Sequence, residues 1–280
     1  MELDNTTVRG AYGVLLLLIV IAALLGYAVV ALAIWNRKDL QQKNIWLTSL
    51  ATSDVMMLIH MLVIVMSTIQ STWPFGKFGC QVNAWMGLAS GFISIASITW
   101  IAIDRYYQQC QPDMCGKNYN FFMILVWSLG AVAASLPAFG FGAYEVAHEH
   151  TAGCLVDLNQ HDSKMQAYIM LVAAVWFVYP LTKIFRYYNK LSIESKQQQM
   201  LSKIVPALFL VCYCPYAMYA SLKVTVGVGV LPVWMVAVIY LLPKIIPALN
   251  PYIYMQSDPE LLSACQEVIH WRRQEAVKQQ

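Results

Sequence analysis

Residues 11–35 read AYGVLLLLIVIAALLGYAVVALAIW, an apolar run broken by no charge and closed by Asn36-Arg37-Lys38. A helix needs roughly 20 consecutive apolar residues to cross the hydrocarbon core of a bilayer. The run is too long for the hydrophobic part of a secretion signal, lacks a basic segment ahead of it and ends without a small-residue cleavage site. It therefore reads as a membrane span. Working outward, stretches of the same kind recur at about Ile45–Ile69, Val82–Ile103, Phe121–Phe141, Gln166–Ile184, Ile204–Leu222 and Leu231–Tyr254. The composition agrees: of 280 residues 59% are hydrophobic and only 12% charged, with a mean hydropathy of +0.54, where soluble domains carry about a quarter charged residues.

The polar segments between the runs are short, Asn36–Asn44 and Tyr188–Gln199 among them, so sequence neighbours must pack as antiparallel neighbours. The expected fold is an all-α membrane protein, a seven-transmembrane-helix bundle forming a single domain over residues 1–280. Residues 1–10 are expected as an extracellular tail, and residues 257–280 as a short amphipathic helix and cytoplasmic tail. Orientation follows from basic residues, which accumulate on the cytoplasmic side. Arg37, Lys38, Lys43, Arg105, Lys117, Lys183, Arg186, Lys190, Arg272 and Arg273 fall on the C-terminal side, against Arg9, Lys77, Lys164 and Lys223 on the other. The N-terminus is thus expected outside, which makes Asn5-Thr6-Thr7 an N-glycosylation sequon. That same bias accounts for the net charge of +3, so no nucleic acid is implied; the lipid bilayer is the partner. No internal repeat, phosphate-cradling glycine loop or metal-ligand cluster occurs.

With this topology only Cys80 and Cys154 face the oxidising side, and a disulfide between them is the economical pairing. It would pin the long outer loop over the mouth of the bundle. Cys110, Cys115, Cys212, Cys214 and Cys265 are read as free thiols, Cys265 also as a palmitoylation candidate on an amphipathic segment.

Ionisable residues within spans need partners, because a charge at the bilayer centre costs about 2.5–3.5 kcal/mol even on lenient scales. Asp54 lies in the middle of the second span. Asp104-Arg105-Tyr106 closes the third. Asn250-Pro251-Tyr252-Ile253-Tyr254 ends the seventh, where Pro251 frees a backbone carbonyl and Asn250 can bond across to Asp54. Cys212-Tyr213-Cys214-Pro215-Tyr216 places a second proline hinge in the sixth. With Cys80 and Cys154, Trp127, and Pro180 with Tyr188, these motifs make the chain resemble the rhodopsin-like G-protein-coupled receptors over nearly its whole length. The resemblance implies that Asp54, Asn250, Pro251 and Tyr254 form a switch in the bundle. It also implies that Asp104, Arg105, Tyr106 and Tyr188 govern a cleft for a heterotrimeric G protein.

Lys244 decides the subclass. A primary amine in apolar surroundings gives up its proton readily and, once neutral, condenses with an aldehyde. The interval from Lys244 to the Asn250-Pro251 box is that of opsins, which implies retinal, 11-cis or all-trans, as cofactor in Schiff-base linkage. Gly91, Tyr213 and Tyr216 match positions lining the retinal pocket. Trp73-Pro74-Phe75-Gly76 looks like the opsin first outer loop. Cys110-Gln111-Pro112-Asp113 and Gly153-Cys154-Leu155-Val156-Asp157 look most like the peropsin, neuropsin and retinal-photoisomerase group. Departures stand beside these matches: Tyr213 replaces the tryptophan that most opsins place beside the retinal ring, Gly26 replaces the first-span asparagine, and Asn83 replaces the third-span carboxylate of vertebrate visual pigments.

The resulting expectation is a retinal-binding, light-sensitive receptor in a plasma membrane or a photoreceptor- or pigment-epithelium-type membrane. The alternatives are a photoisomerase that converts all-trans retinal and releases it, and a receptor for a diffusible ligand with Lys244 unmodified. Since Asn83 carries no charge, the counterion of the imine is sought in the outer loop. There Glu149 is one residue out of register with the acidic residue of the peropsin group, and Glu145 is the other choice.

Overall fold

A computed structural model describes residues 5–35, 37, 45–114, 116–146, 153–190, 196–227, 231–257 and 259–278. Hydrocarbon offers no water to the peptide groups, so a spanning segment must satisfy its N–H and C=O groups internally. The apolar runs do this as α1 (Asn5–Trp35), α2 (Ile45–Gln70), α3 (Gly76–Cys110), α4 (Tyr119–Ser135), α5 (Ser163–Tyr188), α6 (Lys196–Val226) and α7 (Val233–Ser257). Among the described residues, seven helices are long and apolar enough to cross a membrane, as the sequence predicts. The chain is a multi-pass membrane protein.

The helices outrun the apolar runs that announce them. Helix α1 begins at Asn5, inside the segment expected as a tail, and α3 has 35 residues. At 1.5 Å per residue α3 is about 52 Å long, against a hydrocarbon core of about 30 Å. Hydropathy marks only the part of a helix that lies in lipid; the hydrogen-bonded ladder continues into the interface. Helix α4 instead tightens into a 3-10 turn, Leu136–Phe139, short of the expected Phe141.

Helix α3 is the centre of the bundle and packs on α2, α4 and α5. Its buried serines let neighbours approach closely and bond across, as small hydroxyl residues do in membranes. Ser97 Oγ lies 3.0 Å from Ser49 Oγ on α2, and Trp127 Nε1 of α4 donates to that same Ser49 Oγ at 3.0 Å. Helices α1 and α7 meet at Gly26, where a Cβ atom would fall 2.6 Å from Pro251 Cγ. The proline ring leaves no room for a side chain at this position. The middle of α5, Ala173–Val178, is π-helical. Pro180 has no N–H to donate, and the wider turn carries the ladder past it, with Tyr179 N donating to Ala174 O.

At the end of the bundle where α3 starts, a hairpin of β1 (Tyr144–Val146) and β2 (Cys154–Val156) pairs antiparallel with Glu145 opposite Leu155. The Cys80–Cys154 disulfide anchors β2 to the start of α3, with Cα atoms 5.1 Å apart. Next to it Gly153 sits so tightly on α2 that a Cβ would approach Ile64 Cγ1 to 2.9 Å. Tyr144 Oη donates to Ala134 O at 2.5 Å, tying β1 to α4.

After α7 the chain continues as α8 (Pro259–Lys278), which packs on α1 and α7. Leu261, Ala264 and Cys265 are all buried there. The palmitoylation expectation for Cys265 is thereby corrected: the amphipathic segment turns this thiol toward the bundle, and burial pushes it up to about 11.

Candidate functional site

Beneath the hairpin lies an internal cavity of about 160 Å³ bounded by α2, α3, α5, α6, α7 and β2. Its walls are mostly apolar, with Leu155 and Val156 of β2 forming the roof. Gly91, Tyr213, Tyr216 and Lys244, singled out separately from the sequence, all line it. Gly91 leaves free wall: the nearest atom to an added Cβ is Met57 Cε at 3.8 Å. The aromatic rings are held by one another, Tyr216 with Tyr240 at 5.3 Å and Tyr213 with Phe209 at 5.2 Å between centroids. Tyr213 also lines a smaller void below, shared with Asn250 and Tyr254, so it is the partition between the cavity and the inner half of the bundle.

Lys244 is buried at 7% exposure. Its Nζ donates to Tyr240 O at 3.1 Å, one turn back on α7, and lies 6.0 Å from the Tyr240 ring centroid. Among the described residues no carboxylate stands within ion-pair distance of it, and none lines the cavity. Lys244 is thus a buried primary amine with no counter-charge among the described residues, and a neutral amine of this kind is a nucleophile toward an aldehyde.

Sequence reasoning missed His60. This α2 residue lines the cavity, is 2% exposed, and its Nδ1 lies 2.9 Å from Asn83 O on α3. A lone histidine six residues beyond Asp54 in an apolar span was the available signal. Asn83 itself is buried with both amide atoms unpartnered. Glu145 is exposed on β1 and does not line the cavity. Glu149 lies outside the described residues.

Deeper in the bundle Asp54 accepts from Asn250 Nδ2 at 2.7 Å, from Ser94 Oγ at 3.3 Å and from Tyr27 Oη. The bond to Asn250 is the one the sequence suggests; the Tyr27 contact was not foreseen, and it draws α1 into the cluster. At the inner end Asp104 accepts from Gln108 Nε2 at 2.9 Å and from Tyr119 Oη. Tyr188 and Tyr254 are buried in the same inner core, and Tyr106 packs on Tyr187 at 5.2 Å. Asn5 begins α1, with its side chain outside the described ones.

Helices of membrane-crossing length closed around a mostly apolar, lysine-bearing cavity define a helical membrane protein built to enclose a small ligand. Comparison with known proteins narrows the class. The model of the family "7 transmembrane receptor (rhodopsin family)" matches residues 26–254, and the chain belongs to that family. It is 29% identical to the visual pigment-like receptor peropsin of Homo sapiens, over 54% of this chain and 51% of that protein. It is 23% identical to a GQ-coupled rhodopsin of Mizuhopecten yessoensis, over 92% and 59%. The RPE-retinal G protein-coupled receptor of Mus musculus is 26% identical over 75% and 74%. The chain thus spans only half to three-fifths of the length of the first two relatives. The crystal structure of squid rhodopsin has the same fold, with a TM-score of 0.78 over 97% of this chain at 23% identity.

Proposed function

We propose that the chain is a light-sensitive receptor that holds retinal covalently on Lys244. The observation that carries this reading is the buried Lys244 amine opening on an apolar cavity with no described carboxylate beside it. When bound, retinal supplies an aldehyde for the lysine and a polyene that absorbs light and changes shape. Lys244 attaches it, Gly91 leaves room along α3, Tyr216 and Tyr240 confine it, and the roof of β2 keeps water out. Tyr213, the partition to the inner void, passes a push from the cavity toward Asn250 and Tyr254. The response is a shift between two packings of one bundle. Asp54 with Asn250 and Pro251 forms the hinge cluster, and Asp104, Arg105, Tyr106 and Tyr188 border the face that meets a heterotrimeric G protein. In this reading the N-terminus, with the Asn5 sequon, is extracellular, and Glu149 supplies the counter-charge.

Asn83 favours a second reading. Its neutral, unpartnered amide on α3 suits a photoisomerase that converts all-trans retinal and lets it go.

The test is to reconstitute the purified protein with 11-cis and with all-trans retinal and record spectra and extracted isomers before and after illumination. A stable visible band with 11-cis retinal supports the receptor, and preferential uptake of all-trans retinal with release of the 11-cis form supports the photoisomerase. Lys244→Ala should fold and show no retinal-dependent visible band; an unchanged band in that variant removes both readings.

A further inference from the structure

Between α1, α2, α7 and α8 the bundle leaves a groove of about 470 Å³, larger than the cavity under the hairpin. Ala31 and Ile34 of α1, Ala51 and Val55 of α2, Met255 of α7 and Leu261 of α8 line it. Alanine at positions 31 and 51 takes up little of the space between the helices. Ala31, Thr48, Thr52 and Val55 are exposed, so the groove opens sideways on the surface of the bundle. All four belong to membrane spans. What the groove opens on is therefore hydrocarbon.

The hydroxyl groups of the lining are already engaged. Tyr27 Oη donates to Asp54, and Thr52 Oγ1 donates to Thr48 O at 2.9 Å; Thr48 and Tyr254 have partners as well. A water molecule needs two to four polar partners to stay in such a place. A hydrocarbon chain needs none and gains close contact along every wall. The deepest members of the lining are Tyr27, Pro251 and Tyr254, all buried. An occupant thus rests on the tyrosine that donates to Asp54 and on the proline of α7.

The groove runs to the end of α1. Trp35, the last residue of that helix, is 80% exposed, and an indole so placed settles at the headgroup level of a membrane. Arg37 follows in a turn whose N–H donates to Ile34 O at 3.1 Å. At this end of the bundle Arg37, Arg105, Lys117, Lys183, Arg186 and Lys190 outnumber Asp104, Asp113, Glu260 and Glu267 among the described residues. A surface of that sign favours an anionic headgroup over a neutral one.

We propose that the groove binds one acyl chain of an acidic phospholipid, with the headgroup at the basic end and the chain against Tyr27, Pro251 and Tyr254. The chain fills the space behind the Asp54 cluster and so props the packing of α1 on α7. This site rests on the chain's crossing a membrane; retinal and light do not enter into it.

The probe is phosphatidylglycerol with a diazirine in one acyl chain, in vesicles holding the purified full-length protein. Phosphatidylcholine with the same chains and a diazirine sterol are the comparisons, and labelled residues are found by mass spectrometry after irradiation. Phosphatidylglycerol should label the groove residues of α1, α2 and α7 in preference to the outward-facing Phe121 and Ile124 of α4, which are 63% and 67% exposed. Thr52→Phe sets a ring in the groove from an exposed position. It should lower groove labelling about tenfold, which corresponds to lost contact with about two methylene groups, and leave α4 labelling as it was. Ala31→Phe fills the groove from α1 and decides the matter if Thr52→Phe does not fold. Labelling spread evenly over α4 and the groove, or undiminished in the folded variants, would overturn the site. Equal labelling by the two phospholipids would overturn the acidic headgroup, and preferential labelling by the sterol would overturn the phospholipid.

Discussion

At the residue scale the proposed chemistry depends on what stands around one nitrogen. A positively charged imine in a dry cavity loses its proton unless an anion or a polar acceptor is near. The described lining has no carboxylate; in the proposed function Glu149, in the segment after β1, supplies the charge. Glu149→Gln is expected to move the retinal pigment from visible to near-ultraviolet absorption at neutral pH, because the neutral imine is then favoured. An unchanged spectrum and titration would place the counter-charge elsewhere; Glu145, exposed on β1, would be tested in the same way. Lys244 was legible from its interval to the Asn250-Pro251 box, and Gly91, Tyr213 and Tyr216 only through the resemblance to opsins; all four line the cavity. His60 was not, since a single histidine in an apolar run looks like any buried histidine until its hydrogen bond to Asn83 O and its slot at Gly87 are seen.

Among elements, two are held by contacts that come from another part of the chain. The roof hairpin is held by a disulfide that closes 74 residues of sequence. Cross-linking that span stabilises a fold by roughly 2–5 kcal/mol, chiefly by restricting the unfolded chain. Cys80→Ser should lower the melting temperature of the purified protein and release the roof, and a variant melting like the parent would mean the bridge is dispensable. Helix α8 gives the complementary test. Burial holds the Cys265 thiol up to about 11, so it stays protonated through the neutral range, and the thiolate, which is the reactive form, appears only as pH rises toward that value. Iodoacetamide should therefore label the exposed Cys110 well before Cys265 at pH 7. Equal rates, followed by mass spectrometry, would show that α8 does not stay docked. Where helices outrun their apolar runs, as α1 and α3 do, the reason is that apolarity reports the lipid whereas the ladder of backbone bonds does not depend on it.

For the whole molecule, the order of motifs along the chain foretold how distant parts converge, Asp54 with Asn250 above all. What order could not foretell was that Tyr27 joins them, because nothing in α1 marks one tyrosine among its aliphatic neighbours. The bundle links cavity to inner face through Tyr213 and the void it shares with Asn250 and Tyr254. If that link carries the signal, light-dependent nucleotide exchange on a G protein should disappear in Arg105→Ala while the pigment spectrum is retained. Exchange persisting in that variant would remove Arg105 from the coupling role, and no exchange in the parent with any G-protein class would favour the photoisomerase.

The roof itself has a further consequence. With Leu155 and Val156 over the cavity and the disulfide and Gly153 anchoring β2, the aqueous side offers a poor doorway, and a long apolar aldehyde has little reason to wait there. For the proposed retinal ligand the expected reservoir is the bilayer. Loading then obeys a partition law: the half-saturating dose should track moles of ligand per mole of lipid and stay constant when the same vesicles are diluted in buffer.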